Sequence, residues 1–341
     1  MSKKLLAVLI SVCMLPVCAL ADNLIIGSSI ADGANSTFEK YDDAGNRLLT
    51  GNLSIKRSNH SATLFSNGSI FVAGGDSDPT SWQILNSSGA VLSSGLLRDQ
   101  RISAAADRLS NGNVFIAGGI TVPGTWEIHS PTGALVASGN LHQPHSGGHS
   151  VVALQNGNVW ISGSNVANGD PTSWEIHSNT GTLISSGILS SARTGSPTVL
   201  LTNGNVMIIG GDGDTGSYEI HSQTGTLVKT GTLFNAFNGG ANAVKLNSGN
   251  VFIFGSACCS GFPGARSTWE IRDGNGNFVS TGDLFNPRGG AGAAVLSTGN
   301  VFITGGDSAP ATWEIRNAAG GLVSQGNLFN TRYPGHTLSH F

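Results

Sequence analysis

Short apolar runs alternate with polar, glycine-rich punctuation along nearly the whole chain. Runs such as Ile70-Phe71-Val72-Ala73 are apolar at every position, the pattern of a strand covered on both faces. A strand of mixed character precedes this run, His60-Ser61-Ala62-Thr63-Leu64, across an Asn67-Gly68 turn. That turn reads as a two-residue hairpin with both central residues at positive φ. Its equivalents are Asn111-Gly112, Asn156-Gly157, Asn203-Gly204, Ser248-Gly249 and Thr298-Gly299. The glycine pair Gly74-Gly75 ends the apolar strand, and a third strand follows around an aromatic-polar-Ile core. A fourth begins after another glycine turn, as in Gly133-Ala134-Leu135-Val136-Ala137. These four predicted strands are labelled a to d.

The third strand reveals the repeat. Its aromatic residue recurs at Trp82, Trp126, Trp174, Tyr218, Trp269 and Trp313, after a divergent copy Phe38-Glu39-Lys40. The spacings are 44, 44, 48, 44, 51 and 44 residues. Such a period fits a four-stranded antiparallel sheet with its turns and exceeds a solenoid coil. The first unit begins at strand b, Leu24-Ile25-Ile26-Gly27, without a strand a. The chain ends on a lone strand a between Arg332 and Phe341. Joined, the two ends complete a seventh unit and leave no unpaired sheet edge at the seam. The expected fold is therefore all-β: one seven-bladed β-propeller domain over residues 22–341, closed by a split blade and monomeric. A terminal Phe341 also suits an outer-membrane barrel, but its place in the repeat argues against that reading.

Composition narrows the alternatives. The 341 residues include 49 glycines, and only 11% are charged, which disfavours a helical protein. Mean hydropathy of +0.05 and a net charge of −3 disfavour disorder and exclude a basic nucleic-acid binder. Lys3 and Lys4, an apolar run from Leu5 to Val17 and Ala19-Leu20-Ala21 form a cleavable signal peptide over residues 1–21. A lipoprotein reading through Cys18 is weaker, because Val17 stands where a small residue is expected. The apolar run is short for a membrane span, so an exported periplasmic or extracellular protein is expected.

The stretch Arg57-x-x-His60-Ser61-Ala62-Thr63-Leu64-x-x-Asn67-Gly68-x-Ile70-Phe71-Val72-Ala73-Gly74-Gly75 resembles Kelch repeats of the bacterial, galactose-oxidase-like kind. The glycine pair recurs at Gly118-Gly119, Gly210-Gly211 and Gly305-Gly306, and becomes Gly-Ser at Gly163-Ser164 and Gly255-Ser256. The family's usual Tyr position holds Tyr41, Leu85, His129, His177, His221, Arg272 and Arg316, and its later Trp is replaced by aliphatics such as Leu135 and Leu183. The resemblance implies the propeller fold and gives function only by association. Galactose oxidase holds copper with two tyrosines and two histidines, one Tyr beside a His. Tyr41, Tyr218 and Tyr333 have no neighbouring His, so that chemistry is not expected.

Two oppositely charged columns are the main candidate chemistry. All six glutamates stand in strand c: Glu39, Glu127, Glu175, Glu219, Glu270 and Glu314. A position before strand a holds Arg57, Arg101, His145, Arg193, Phe237, Arg288 and Arg332. The cations either pair with the glutamates inside the sheets or line the channel mouth as an anion site. The aromatic column either fills the space between blades or stacks on sugars. Asp76-Ser77-Asp78 and Asp212-Gly213-Asp214 are ordinary turn aspartates or partial calcium loops. His142, His145 and His149 lack zinc-site geometry by default. Cys258 and Cys259 lie in the longest b–c insertion, where export favours a vicinal disulfide.

No hydrolase elbow, phosphate loop or paired-carboxylate motif stands out, and no cofactor or metal is expected. The predicted function is a binding module for a protein or glycan at the loop face. A sugar-acid epimerase or mutarotase and a structural surface protein are the alternatives.

Overall fold

The computed structural model describes residues 22–28, 36–165, 169–256 and 267–341. Seven four-stranded antiparallel sheets are arranged as propeller blades. Strands β1 (Asp22–Ile26), β2 (Thr37–Asp42) and β3 (Arg47–Asn52) belong to the split blade, here blade seven. Blade one is β4 (Ser61–Leu64), β5 (Ile70–Ala73), β6 (Ser81–Leu85) and β7 (Val91–Leu96). Blade two comprises β8–β11 (105–140), blade three β12–β15 (150–188), and blade four β16–β19 (198–232). Blade five is β20–β23 (242–283) and blade six β24–β27 (292–327). The last strand, β28 (Thr337–His340), pairs with β1 in the register Ile25 opposite Leu338. Innermost strands touch in the order β4, β8, β12, β16, β20, β24, β28 and back to β4, so the ring closes as expected.

The fully apolar b strands now have a physical reason. Phe115 and Ala117 of β9 (Val114–Ala117) pack toward blade three, whereas Val114 and Ile116 pack toward blade one. One strand thus feeds two inter-blade cores, and a polar residue on either face would be buried. The aromatic column fills the same spaces: Trp82, Trp126, Trp174, Trp269 and Trp313 are only 6–7% exposed. Trp82 lies beneath the turn at Gly133 of blade two, where any Cβ would collide with the ring. These rings are packing elements and offer no open stacking face.

One local expectation is corrected. Across the Asn67-Gly68 turn only Gly68 has positive φ (78°). Gly68 N–H donates to Phe65 O at 3.1 Å, and the Asn67 side chain accepts from Ser69 N–H at 3.0 Å. This is a longer turn in which a side-chain cap at Asn67 removes the need for a second left-handed residue. The Gly-Gly pair has a different cause. Gly75 N–H donates to Arg101 O of the next blade at 2.9 Å, and a Cβ on Gly74 would strike that carbonyl.

Candidate functional site

Blade two shows what the charged columns do. Arg101 enters from the linker between β7 and β8 (Ala105–Arg108) and is fully buried. Its Nε donates to Glu127 Oε1 at 3.0 Å, and Nη1 donates to the carbonyls of Gly118 (2.9 Å) and Thr125 (3.2 Å). The second carboxylate oxygen accepts from Arg98 N–H at 2.8 Å and lies 3.0 Å from His129 Nε2. Burial by itself would raise the Glu127 carboxyl. The His129 hydrogen bond, the Arg101 charge and the linker amides outweigh it and hold the group down at about 2. The cluster therefore joins a linker, the b–c end of the sheet and the c–d turn into one buried clamp.

Other blades vary the parts. Arg193 meets Glu219 at 3.0 Å with His221 alongside, and Arg332 meets Glu39 at 2.7 Å while Tyr41 Oη donates to the same carboxylate at 2.6 Å. In blade three His145 and His177 stand 3.0 and 2.9 Å from Glu175. Glu314 holds two cations, Arg288 at 2.9 Å and Arg316 at 2.7 Å. Where Phe237 replaces the linker arginine, Arg272 pairs with Glu270 from the same strand. Sequence alone assigns no role to the third member of the clamp (Tyr41, His129, His177, His221, Arg272 or Arg316). Its signal is covariation within the chain: the column turns apolar, at Leu85, only where the glutamate becomes Gln83.

Blade one is consequently incomplete. Arg57 is fully buried and donates to Gly74 O (2.7 Å), Ser81 O (3.2 Å) and Ser81 Oγ (2.8 Å), but its Nε has no partner among the described residues. Gln83 donates instead to Ser54 Oγ at 2.5 Å. Burial pulls the Arg57 guanidinium down to about 10, with only Asp78 opposing it. All six candidate positions, Arg57, Arg101, His145, Arg193, Arg288 and Arg332, have no solvent exposure. Each is tied to its own blade.

The remaining candidates disperse. Asp76 accepts from Ser58 and Asn59, Asp78 from Thr80, Asp212 from Gly239 N–H and Asp214 from Ser217. His142 is exposed, whereas His149 is buried with its ring nitrogens on Ser146 O and Ala117 O. Among the described residues, no three His, Cys, Asp or Glu side chains come together as a metal site. Cys258, Cys259 and residues 1–21, the expected signal peptide, lie outside the described residues. Among the described residues no helix is long and apolar enough to cross a membrane.

Asymmetry lies in the linkers from strand d to strand a, on the face that also carries the b–c loops. One linker position reads Ser54, Arg98, His142, Ser190, Phe234, Phe285 and Phe329 around the ring. The three phenylalanines occupy consecutive linkers and are 68%, 56% and 61% exposed. Phe234 packs on Phe278 with ring centroids 5.3 Å apart, and the Arg47 guanidinium sits 4.3 Å above Phe329.

No family model matches the chain, and no curated protein matches it in sequence. Solved structures match the fold. A fungal alcohol oxidase of the AA5 family, in complex with copper, is 16% identical and superposes with a TM-score of 0.66, covering 94% of this chain and 85% of its own. A protein of unknown function from Bacteroides caccae is 15% identical with a TM-score of 0.53, covering 77% of this chain and 94% of its own. The described residues do not fit a tyrosine–histidine copper centre: Tyr41 serves Glu39, Tyr218 is buried in blade four, and Tyr333 lies half-exposed in the last linker. The chain is thus a seven-bladed β-propeller with a structural neighbour of galactose-oxidase-like fold.

Proposed function

We propose that the protein is an exported interaction module that docks a partner protein on the linker face of blades five to seven. The observation that carries this reading is the run of three exposed phenylalanines on consecutive linkers, against Ser, Arg and His on the other four. Lone exposed apolar residues need no explanation, but three exposed phenylalanines at one position of consecutive linkers, polar elsewhere in the ring, do. The charged columns support the same reading. Every glutamate is buried in a clamp, so none is available at the surface as a general acid or base.

The test replaces Phe234, Phe285 and Phe329 by Ser, the residue already present at Ser54 and Ser190. Cross-linking in the native extract should capture a protein with the parent and lose it with the triple variant, at unchanged melting temperature. The same capture by both proteins refutes the docking face.

A further inference from the structure

The opposite face, which carries the a–b and c–d turns, has a groove between blades four and five. One part, about 340 Å³, is bounded by Thr202, Asn203, Ser248, Asn250 and Asn275. A second part of about 190 Å³ shares Asn203 and Asn275 and reaches outward to Ile220, Val228 and Lys229. We propose that this groove binds an uncharged oligosaccharide.

The groove lies at the one c–d turn whose second residue has no side chain. The second residue of the c–d turn runs Asp43, Ser87, Pro131, Asn179, Gln223, Gly274 and Ala318 around the ring. Gln223 reaches back to the preceding blade and accepts from Asn156 N–H at 2.8 Å, and Asp43 accepts from Ser297 N–H at 3.0 Å. Gly274 makes no such bridge. Its backbone does not require glycine, since φ is ordinary and an added Cβ would meet only Gly249 O, at 3.6 Å. The missing side chain therefore leaves an opening that folding does not demand.

The lining is suited to hydroxyl groups. The side-chain amides of Asn205, Asn250 and Asn275 make no hydrogen bond among the described residues, and each both donates and accepts, as a sugar hydroxyl does. Lys229 is the only cation in a column otherwise holding Leu49, Ser93, Ala137, Ser185, Ser280 and Ser324. Its Nζ donates to Asn275 O (2.7 Å) and Asn277 Oδ1 (3.0 Å), which ties blade four to the turn of blade five. Asp273 on that turn balances its charge, so the groove favours a neutral ligand. Val228, 55% exposed, offers an apolar surface for the C–H face of a sugar ring. Combined, the two parts fall within the ~300–1,000 Å³ usual for small-molecule sites.

The experiment titrates the mature protein with maltotriose, cellotriose and chitotriose, beside an array of neutral and uronic-acid oligosaccharides. At least one neutral series should bind, with little dependence on salt. Gly274→Gln, which copies Gln223, should weaken binding about tenfold or more while the protein melts as before. The triple phenylalanine variant should bind sugar normally, which separates this site from the protein-docking face. Absence of binding by every neutral oligosaccharide, binding confined to the uronic acids, or undiminished binding by Gly274→Gln overturns the proposal. Asn250→Ala provides a second variant should the introduced glutamine disturb the turn, and it too must weaken binding.

Discussion

Blades one and two bury the same arginine in different company. Arg101 has a carboxylate, a histidine and backbone carbonyls around it, whereas Arg57 has only the carbonyls and Ser81 Oγ. The arginine is therefore not there merely to neutralise glutamate. In both blades it satisfies the carbonyl of the first glycine after strand b, and it shares the carbonyl at the start of strand c with that glycine's own N–H. The glutamate instead binds the third residue of the clamp and the linker amides, so it departs together with that residue at Gln83 and Leu85. Blade five makes the complementary change: it loses the linker arginine at Phe237, keeps Glu270 and supplies the cation from Arg272. What the fold requires is each buried group's partner, rather than any fixed trio.

The largest way to break the comparison removes a clamp with its strand. Deleting residues 332–341 takes away Arg332 and β28 and exposes the edge of β1, so cooperative melting should vanish and the protein should aggregate. A soluble product with the parental transition would refute ring closure by this strand. Next, Glu219→Gln turns blade four into a copy of blade one's charge pattern and should cost about 2–3 kcal/mol in denaturant unfolding. An unchanged midpoint would show that the carboxylate contributes nothing.

Acid should act on several blades together. Burial in apolar surroundings, first of all, lowers His60 to about 3 and His149 and His336 to about 4, so these rings fold neutral. Between those values and the ordinary 6.5 the unfolded chain binds more protons, and stability must fall as pH falls. Glu127, Glu175 and Glu219, each held at about 2 by their partners against burial, add a second loss as pH falls from about 4.5 toward 2. The melting temperature should be level above about pH 6.5 and decline continuously below it. A level profile down to pH 4 would contradict the buried neutral histidines. The smallest effect is a gain: Gln83→Glu supplies the acceptor that Arg57 Nε lacks and should stabilise blade one by about 1 kcal/mol. A loss on this substitution would mean that the site does not favour the added charge.

The repeat made the fold legible because every blade solves the same burial problem with the same residue types. Strand b had to be apolar throughout to serve two cores, and the aromatic column had to fill one gap per blade. The split blade was readable because the two chain ends carry complementary strands. The turn at Asn67-Gly68 was not, since side-chain capping by Asn67 is invisible in residue type alone. For the charged columns, composition left inward pairing and a channel-mouth site both open, because strand alternation does not say how far a long arginine reaches. The groove at Gly274 was missed for a related reason. A glycine in a glycine-rich turn carries no signal until its column is read beside Gln223 and Asp43, whose side chains cross to the preceding blade.

The central claim, that the clamps hold the blades through partnered buried charges, is tested most directly by melting Arg193→Ala and Arg57→Ala side by side. Both variants lose the same class of backbone contacts, to Gly210 O and Ser217 O in one and to Gly74 O and Ser81 O in the other. Only the first also strands a buried glutamate. Arg193→Ala should therefore lose about 3–5 kcal/mol, with Arg57→Ala losing at least about 1 kcal/mol less. Equal losses, or a larger loss for Arg57→Ala, would contradict the account.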